Sequence, residues 1–187
     1  MDNKGDQLSQ VVKKGWDQIK EMLSSPQDIV SVIKEDHKPL KELIKIMKDG
    51  ERSLKERTQA FQEFAPLLLT HAKAEEQSLY ELMKTKEDFK EDAFEGDTEH
   101  EIADQLMEEV KRATDENQLG AKIKVLAELV EHHIEEEEND MLPEVKRAFD
   151  EKRLIKATEK YIAVQAKIIS EGQDDSPHEK DLPELAH

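Results

Sequence analysis

The feature that most constrains this chain is a pattern of histidine and glutamate that occurs twice at nearly the same spacing. His37 is followed 34 residues later by His71, and His100 is followed 33 residues later by His133. In each copy the second histidine precedes a glutamate by four residues, in the sequences HAKAE and HIEEE. Residues four apart lie on one face of a helix. The two halves therefore read as two copies of one helical hairpin.

The distribution of apolar residues predicts helices along most of the chain. They recur at spacings of three and four, whereas the period-two alternation of strands does not persist. Six glycines and six prolines among 187 residues are too few for a turn-rich β protein. The predicted fold class is all-α, an antiparallel up-down four-helix bundle with additional N- and C-terminal helices.

The same periodicity predicts where the parts of the chain begin and end. They are an N-terminal amphipathic helix (1–25), the bundle (26–149), a C-terminal helix (150–171) and a disordered tail (172–187). Ser25 is predicted to cap the first bundle helix. Pro66 is predicted to kink or divide the second. The acidic run KEDFKEDAFEGD is predicted to be a linker, with the third bundle helix beginning near Asp97 or Thr98.

Charge and composition exclude several classes of partner. A net charge of −17 repels phosphate, which argues against nucleic acid and against anionic membrane surfaces. The sequence shows no secretory leader and no run of about 18 apolar residues that could span a membrane, so a cytoplasmic location is expected. The chain has no cysteine, so any metal must be held by histidine, carboxylate or water.

Six of the patterned residues fall within the apolar stripes of their helices, and they are therefore predicted to face the bundle axis. They are His37, His71, Glu75, His100, His133 and Glu137. Burying two carboxylates without nearby cations costs on the order of several kcal/mol each, and no lysine or arginine lies in these stripes. A pair of metal ions offsets that cost. Imidazole with bridging carboxylate suits iron, with manganese or zinc as competitors.

The sequence leaves the roles of several neighbouring residues open. Glu76 and Glu138, which follow the two glutamates, are either hydrogen-bond partners of the ligating histidines or solvated. Tyr80 and Tyr161 are interpreted as core residues, with a hydrogen-bond or electron-donor role as the alternative for Tyr80. The apolar stripe through Trp16 predicts contact with the bundle end or a partner helix, so a protein partner is expected at the terminal helices.

Four segments together resemble the hemerythrin-like, His-His-Glu cation-binding family. In order, between residues 29 and 145, they are IKEDHKPLKELI, LLLTHAKAEEQSLYELM, EHEIADQL and LVEHHIEEEENDMLPEV. The resemblance implies a bundle around a carboxylate-bridged pair of iron ions, with the four histidines as terminal ligands and Glu75 and Glu137 as bridges. Oxygen-carrying hemerythrins have a histidine one turn after the third-helix histidine. Here that place holds Asp104, which either ligates or leaves an open or water-filled position.

The six residues and the resemblance favour a non-haem di-iron protein. It would bind O₂ or another small diatomic or peroxide ligand, for sensing, scavenging or iron handling. One alternative is a di-iron enzyme that handles peroxide or nitric oxide or repairs iron–sulfur clusters. Relatives that repair clusters usually carry an N-terminal cysteine pair, which this chain lacks. Another alternative is a metal-free helical interaction module.

Overall fold

The structure, a computed structural model, describes residues 28–174. Five long helices dominate this part of the chain, and it contains no strand. They are α1 (Ile29–Lys48), α2 (Leu54–Glu75), α3 (Lys90–Arg112), α4 (Glu116–Glu136) and α5 (Glu151–Asp174). The predicted all-α fold is confirmed. The predicted N-terminal helix, the Ser25 cap and residues 175–187 of the predicted tail lie outside the described residues. Residues 172–174, which were predicted to belong to the disordered tail, instead form the last residues of α5. None of the described helices is long and apolar enough to cross a bilayer.

Short connections make α1 and α2 antiparallel neighbours, and likewise α3 and α4. Residues 49–53 join α1 to α2, and residues 113–115 join α3 to α4. Helix α1 packs against α2 and α4, and α3 packs against α4. Helix α5 lies against α1 and α2. The four-helix bundle with an additional C-terminal helix therefore agrees with the predicted architecture.

Two of the helices continue through a π-helical turn. After Glu75, α2 continues as a π turn (Glu76–Tyr80) and a last α-helical turn (Glu81–Met83). Helix α4 continues as a π turn (Glu137–Met141) and a short α-helix (Leu142–Ala148). A π turn adds one residue to the helical repeat and shifts the side chains after it. The first turn directly follows Glu75 and the second begins at Glu137, and neither was predicted from the sequence.

The core consists of two apolar clusters with a polar layer between them. One cluster includes Leu40, Ile44, Phe64, Leu68, Met107, Ile123 and Leu126. The other includes Ile29, Ile33, Leu79, Tyr80, Ala93, Leu142 and Tyr161. On α1, for example, His37 lies between Ile33 of one cluster and Leu40 of the other. Because each fully buried aliphatic side chain contributes about 1.5–3 kcal/mol, both clusters fix the rotation of each helix and so the direction of its polar residues.

The third helix begins earlier than the sequence predicted. The run KEDFKEDAFEGD forms a 3-10 turn (Glu87–Phe89) and the start of α3, so helix α3 begins at Lys90 and not near Asp97. Ala93 is buried in an apolar cluster, as is Phe89. The acidic residues of the first helical turn also lie at the positive end of the helix dipole. Burial on one face therefore overrides the acidic composition that suggested a linker.

Pro66 does not divide α2, which runs as one α-helix from Leu54 to Glu75. Proline in a helix interior removes one backbone hydrogen bond and costs about 3 kcal/mol. Phe64 and Leu68 flank the proline and are both buried in the same apolar cluster. Their burial offsets the lost hydrogen bond and keeps the helix continuous up to the polar layer.

Candidate metal centre

Six buried side chains meet in the polar layer at the centre of the bundle. Each of the four helices supplies one histidine, and each half of the repeat supplies one glutamate. They are His37, His71, Glu75, His100, His133 and Glu137, with exposures between 0 and 5%. The structure thus brings together all six residues that the sequence analysis selected.

The six residues form two groups that could each hold a metal ion. Within each group, one donor atom from every residue lies within 4.8 Å of the others. The groups are His37, His71 and Glu137, and Glu75, His100 and His133. Each glutamate therefore joins the two histidines that belong to the other copy of the repeat.

Each glutamate also reaches the group to which it was not assigned. Glu75 Oε2 lies 3.3 Å from His71 Nε2 and 3.7 Å from His100 Nε2, so it contacts one histidine of each group. The second glutamate does the same, with Glu137 Oε2 3.3 Å from His37 Nε2 and Glu137 Oε1 3.6 Å from His133 Nε2. Both carboxylates therefore lie between the two groups, as bridging ligands do.

Five of the donor atoms at the centre have no hydrogen-bond partner within the described part of the chain. The atoms without a hydrogen bond are His37 Nε2, His71 Nε2, both carboxylate oxygens of Glu75, and Glu137 Oε2. An unsatisfied buried polar group costs about 1–3 kcal/mol, and an ionised carboxylate costs more. Cations bound at these atoms would remove that cost. The residues present therefore fit metal ions.

The spacing of the donor atoms also suits ligation. Two atoms bound to one ion at about 2.1 Å, at roughly 90–110° to each other, lie about 3.0–3.4 Å apart. His100 Nε2 and His133 Nε2 are 3.1 Å apart. His37 Nε2 and Glu137 Oε2 are 3.3 Å apart. These pairs therefore have the separation of neighbouring ligands on a common ion.

The second glutamate of each doublet faces the outer nitrogen of a histidine in the opposite copy. Glu138 Oε1 is 2.9 Å from His37 Nδ1 and is anchored on its other oxygen by Lys41 at 2.6 Å. Glu76 Oε1 is 3.4 Å from His100 Nδ1. Of the two roles that the sequence left open, Glu138 takes that of a hydrogen-bond partner of its histidine, whereas Glu76 only approaches His100 Nδ1, which makes no hydrogen bond in the described part of the chain. Such outer contacts orient a ligating imidazole and raise its basicity.

The other two histidines have partners that the sequence analysis missed. Glu99 Oε2 is 2.5 Å from His133 Nδ1, and the Tyr161 hydroxyl is 2.9 Å from His71 Nδ1. That hydroxyl donates to Asp36 Oδ2 at 2.6 Å. The two acids, Asp36 and Glu99, could have been identified from their position in the sequence, because each directly precedes the first histidine of its copy.

Tyr80 is a core residue that also donates a hydrogen bond into the centre. Its hydroxyl donates to Glu137 Oε1 at 2.8 Å, and its ring stacks on His100 with the ring centres 5.5 Å apart. Gly96 makes room for this ring, because a Cβ atom at residue 96 would lie 2.5 Å from the Tyr80 hydroxyl. The absence of a side chain on α3 therefore sets the position of a partner of one candidate bridge.

Burial and mutual charge shift the pKa values of the central groups. Burial, and then the charge of Glu137, raise the pKa of Glu75 to about 8. Burial opposes ionisation of Glu137 as well, but the charges of His133 and His37 outweigh it and lower the pKa of Glu137. Burial would lower the pKa of His133, but Glu137 and Glu99 raise it to about 9. At neutral pH, ions entering the centre must therefore displace protons.

The seventh candidate, Asp104, lies outside both groups. Its carboxylate is 3.4 Å from Lys73 Nζ, and its side chain is 35% exposed. It stands instead at a small pocket between α2, α3 and α4 that reaches His100 and His133. The apolar side chains of that pocket are Leu68, Ala72, Ala103, Leu129 and Val130.

Comparison with known families agrees with this arrangement. A family model described as the hemerythrin HHE cation binding domain matches residues 28–145. Comparisons with curated proteins and with solved structures found no match. The matched residues include α1 to α4 and all six central donors, and they make up more than half of the chain. With its two histidine–glutamate groups inside the matched bundle, the chain belongs to the hemerythrin HHE cation-binding family.

Proposed function

We propose that the chain binds two iron ions at its centre and uses them to bind O₂ or a related small oxidant, for sensing, scavenging or iron handling. One observation carries the proposal. Each of the two central glutamates lies between a histidine of one group and a histidine of the other, at 3.3–3.7 Å. Carboxylates that face two groups of donors at once suit two ions and not one.

The donor types favour iron. Imidazole nitrogen and carboxylate oxygen suit iron, manganese and zinc, and the chain has no thiolate that would select otherwise. Four histidines and two carboxylates in a helical bundle form a donor set of the kind used for di-iron centres. An iron pair would supply a redox couple and coordination positions for a small oxidant. Manganese and zinc remain the proposed substitutes.

The side chains around these donors would determine the route by which a small ligand reaches the centre. The pocket between α2, α3 and α4 is lined almost wholly by apolar atoms and reaches His100 and His133. Asp104 also lines this pocket, and its carboxylate pairs with Lys73. An apolar lining favours a neutral diatomic molecule over water. We therefore propose that the ligand approaches from this side of the bundle.

Iron content and absorption test the metal proposal. Protein reconstituted with Fe(II) without air should hold about two ions per chain and develop charge-transfer absorption on exposure to O₂. His133→Ala should lose iron and absorption, because His133 is buried among the donors. His132→Ala is the matched control, since the adjacent side chain is 66% exposed and pairs with Glu136. Iron-free protein, or equal loss in both variants, would refute the proposal.

Filling the pocket tests the ligand proposal. Ala103→Leu adds bulk at a buried pocket residue and should weaken nitric oxide binding, used as a diatomic probe, by about tenfold or more. Iron content should stay unchanged. Ala121→Leu makes the same change on the exposed face of α4 and should have no effect. Unaltered nitric oxide binding in Ala103→Leu would refute this route. Catalytic turnover of peroxide, lost in Glu75→Ala, would instead identify an enzyme.

A further inference from the structure

The C-terminal helix α5 reaches the centre, although it lies beyond the residues that match the family model. Tyr161 on this helix is fully buried, and its hydroxyl is 2.9 Å from Nδ1 of His71. Gln165, one turn later, donates through Nε2 to Asp36 Oδ2 at 2.5 Å. The same carboxylate oxygen accepts the Tyr161 hydroxyl at 2.6 Å. Two residues of α5 therefore connect a buried carboxylate of α1 to a central histidine.

The direction of these hydrogen bonds fixes the proton on His71. A phenol has one proton, and here the Tyr161 hydroxyl donates it to Asp36. The phenol oxygen can then only accept from His71, so the proton of this imidazole lies on Nδ1. His71 Nε2 is left with its lone pair 3.3 Å from Glu75 Oε2 and without a hydrogen-bond partner. This is the tautomer that a ligand of a metal ion requires.

In the two copies of the repeat, different residues contact Nδ1 of the second histidine. Asp36 and Glu99 occupy matching places, each one residue before the first histidine of its copy. Glu99 contacts the second histidine of its copy directly, at 2.5 Å from His133 Nδ1. Asp36 is one methylene shorter and is connected to His71 through the Tyr161 hydroxyl. The phenol of α5 therefore fills the gap that the shorter acid leaves.

We propose that Tyr161, held by Asp36 and Gln165, is a positioning residue that keeps His71 in its ligating tautomer and makes α5 part of the metal centre. This inference rests on the proposed metal binding for its effect on affinity, but the tautomer itself exists in the metal-free protein. Outer partners of ligating histidines typically change metal affinity about 10–100-fold.

The test begins with Tyr161→Phe, which removes only the hydroxyl. We expect competition with a chelator to show one of two Zn(II) ions bound about 10–100-fold more weakly, with the other unchanged. Ile162→Val, a neighbouring buried truncation on α5, is the matched control and should leave both affinities unchanged. Asp36→Glu combined with Tyr161→Phe should restore the affinity, because the longer acid then reaches His71 as Glu99 reaches His133.

Nitrogen-15 NMR of the imidazoles gives a readout that general destabilisation would not move. In wild type, metal-free or zinc-loaded, the proton of His71 should lie on Nδ1, and in Tyr161→Phe this resonance should shift or exchange rapidly. An unchanged His71 resonance together with unchanged affinities would overturn the inference. If neither protein bound metal, the proposed function would fail, while the tautomer in the metal-free protein would still decide the role of Tyr161.

Discussion

Replacing Gly96 by alanine tests whether Tyr80 is held rigidly between α3 and the centre. In an ordinary helix interior this change stabilises, because alanine is favoured over glycine by about 1 kcal/mol. Here the new Cβ atom would lie 2.5 Å from the Tyr80 hydroxyl and 2.6 Å from the ring carbon that bears it. Ordinary contact begins at 3.4 Å, so the ring would have to move by about 0.9 Å.

The energetic cost follows from what holds the ring in place. Tyr80 is fully buried, donates to Glu137 at 2.8 Å and stacks on His100. Overpacking of a filled core costs about 1–3 kcal/mol, and an overlap of this size belongs at the upper end. Subtracting the gain of about 1 kcal/mol in helix propensity leaves a net loss of about 2 kcal/mol in the free energy of unfolding.

The assay is urea unfolding of the metal-free protein, followed by far-ultraviolet circular dichroism. Gly120→Ala is the matched control, because a Cβ atom there would meet its nearest neighbours at 3.4 and 3.5 Å. It should stabilise the protein by about 0.5–1 kcal/mol. Replacing glycine by alanine is therefore expected to destabilise the protein at residue 96 and to stabilise it at residue 120. Equal stabilisation by both changes would show that the Tyr80 ring moves at little energetic cost and would contradict this prediction.

Three further predictions concern caps and ions. Asp115→Ala removes the side chain that accepts a hydrogen bond from the Gln118 backbone N–H at the start of α4, and it should lower the free energy of unfolding by about 1 kcal/mol. Asp115→Asn keeps an acceptor and should cost little. Equal losses in thermal or urea unfolding of the two variants would exclude a capping role. Metal binding should release protons below about pH 8, since Glu75 and His133 have raised pKa values of about 8 and about 9, so the apparent affinity should rise with pH. Calorimetric titration of Zn(II) in buffers of different ionisation enthalpy measures that release, and heats independent of buffer would contradict it. Removing iron with a chelator should lower the melting temperature, because an ion present at 100 times its dissociation constant adds about 2.7 kcal/mol; identical melting curves would contradict metal binding.

The helices and the six donors could be predicted because both follow a local rule. Apolar spacing places a residue on one helical face, and His-x-x-x-Glu places two donors on that face. The repeat then relates the two halves without any knowledge of tertiary contacts. For this reason His37 and His100 could be paired with the later motifs from spacing alone.

What the sequence could not give depends on contacts between distant residues. The π turns at the two glutamates, one following Glu75 and one beginning at Glu137, change the register locally, and apolar spacing alone does not reveal such a turn. Helix α3 begins early because Phe89 and Ala93 find a buried surface, which composition does not show. Tyr161 reads as a core residue on α5, and only the fold brings its hydroxyl to His71, 90 residues earlier in the chain. Asp104 likewise faces Lys73 because of how α2 and α3 pack.

Anomalous diffraction at the iron absorption edge, from crystals grown after anaerobic loading, would show directly whether two iron ions bind at the centre of the bundle. We predict two separate peaks, one beside His37 and His71 and one beside His100 and His133, with Glu75 and Glu137 contacting both. A single peak would contradict the bridging role of the two glutamates. No peak, with the six side chains hydrogen-bonded to water or to one another, would contradict metal binding at this centre.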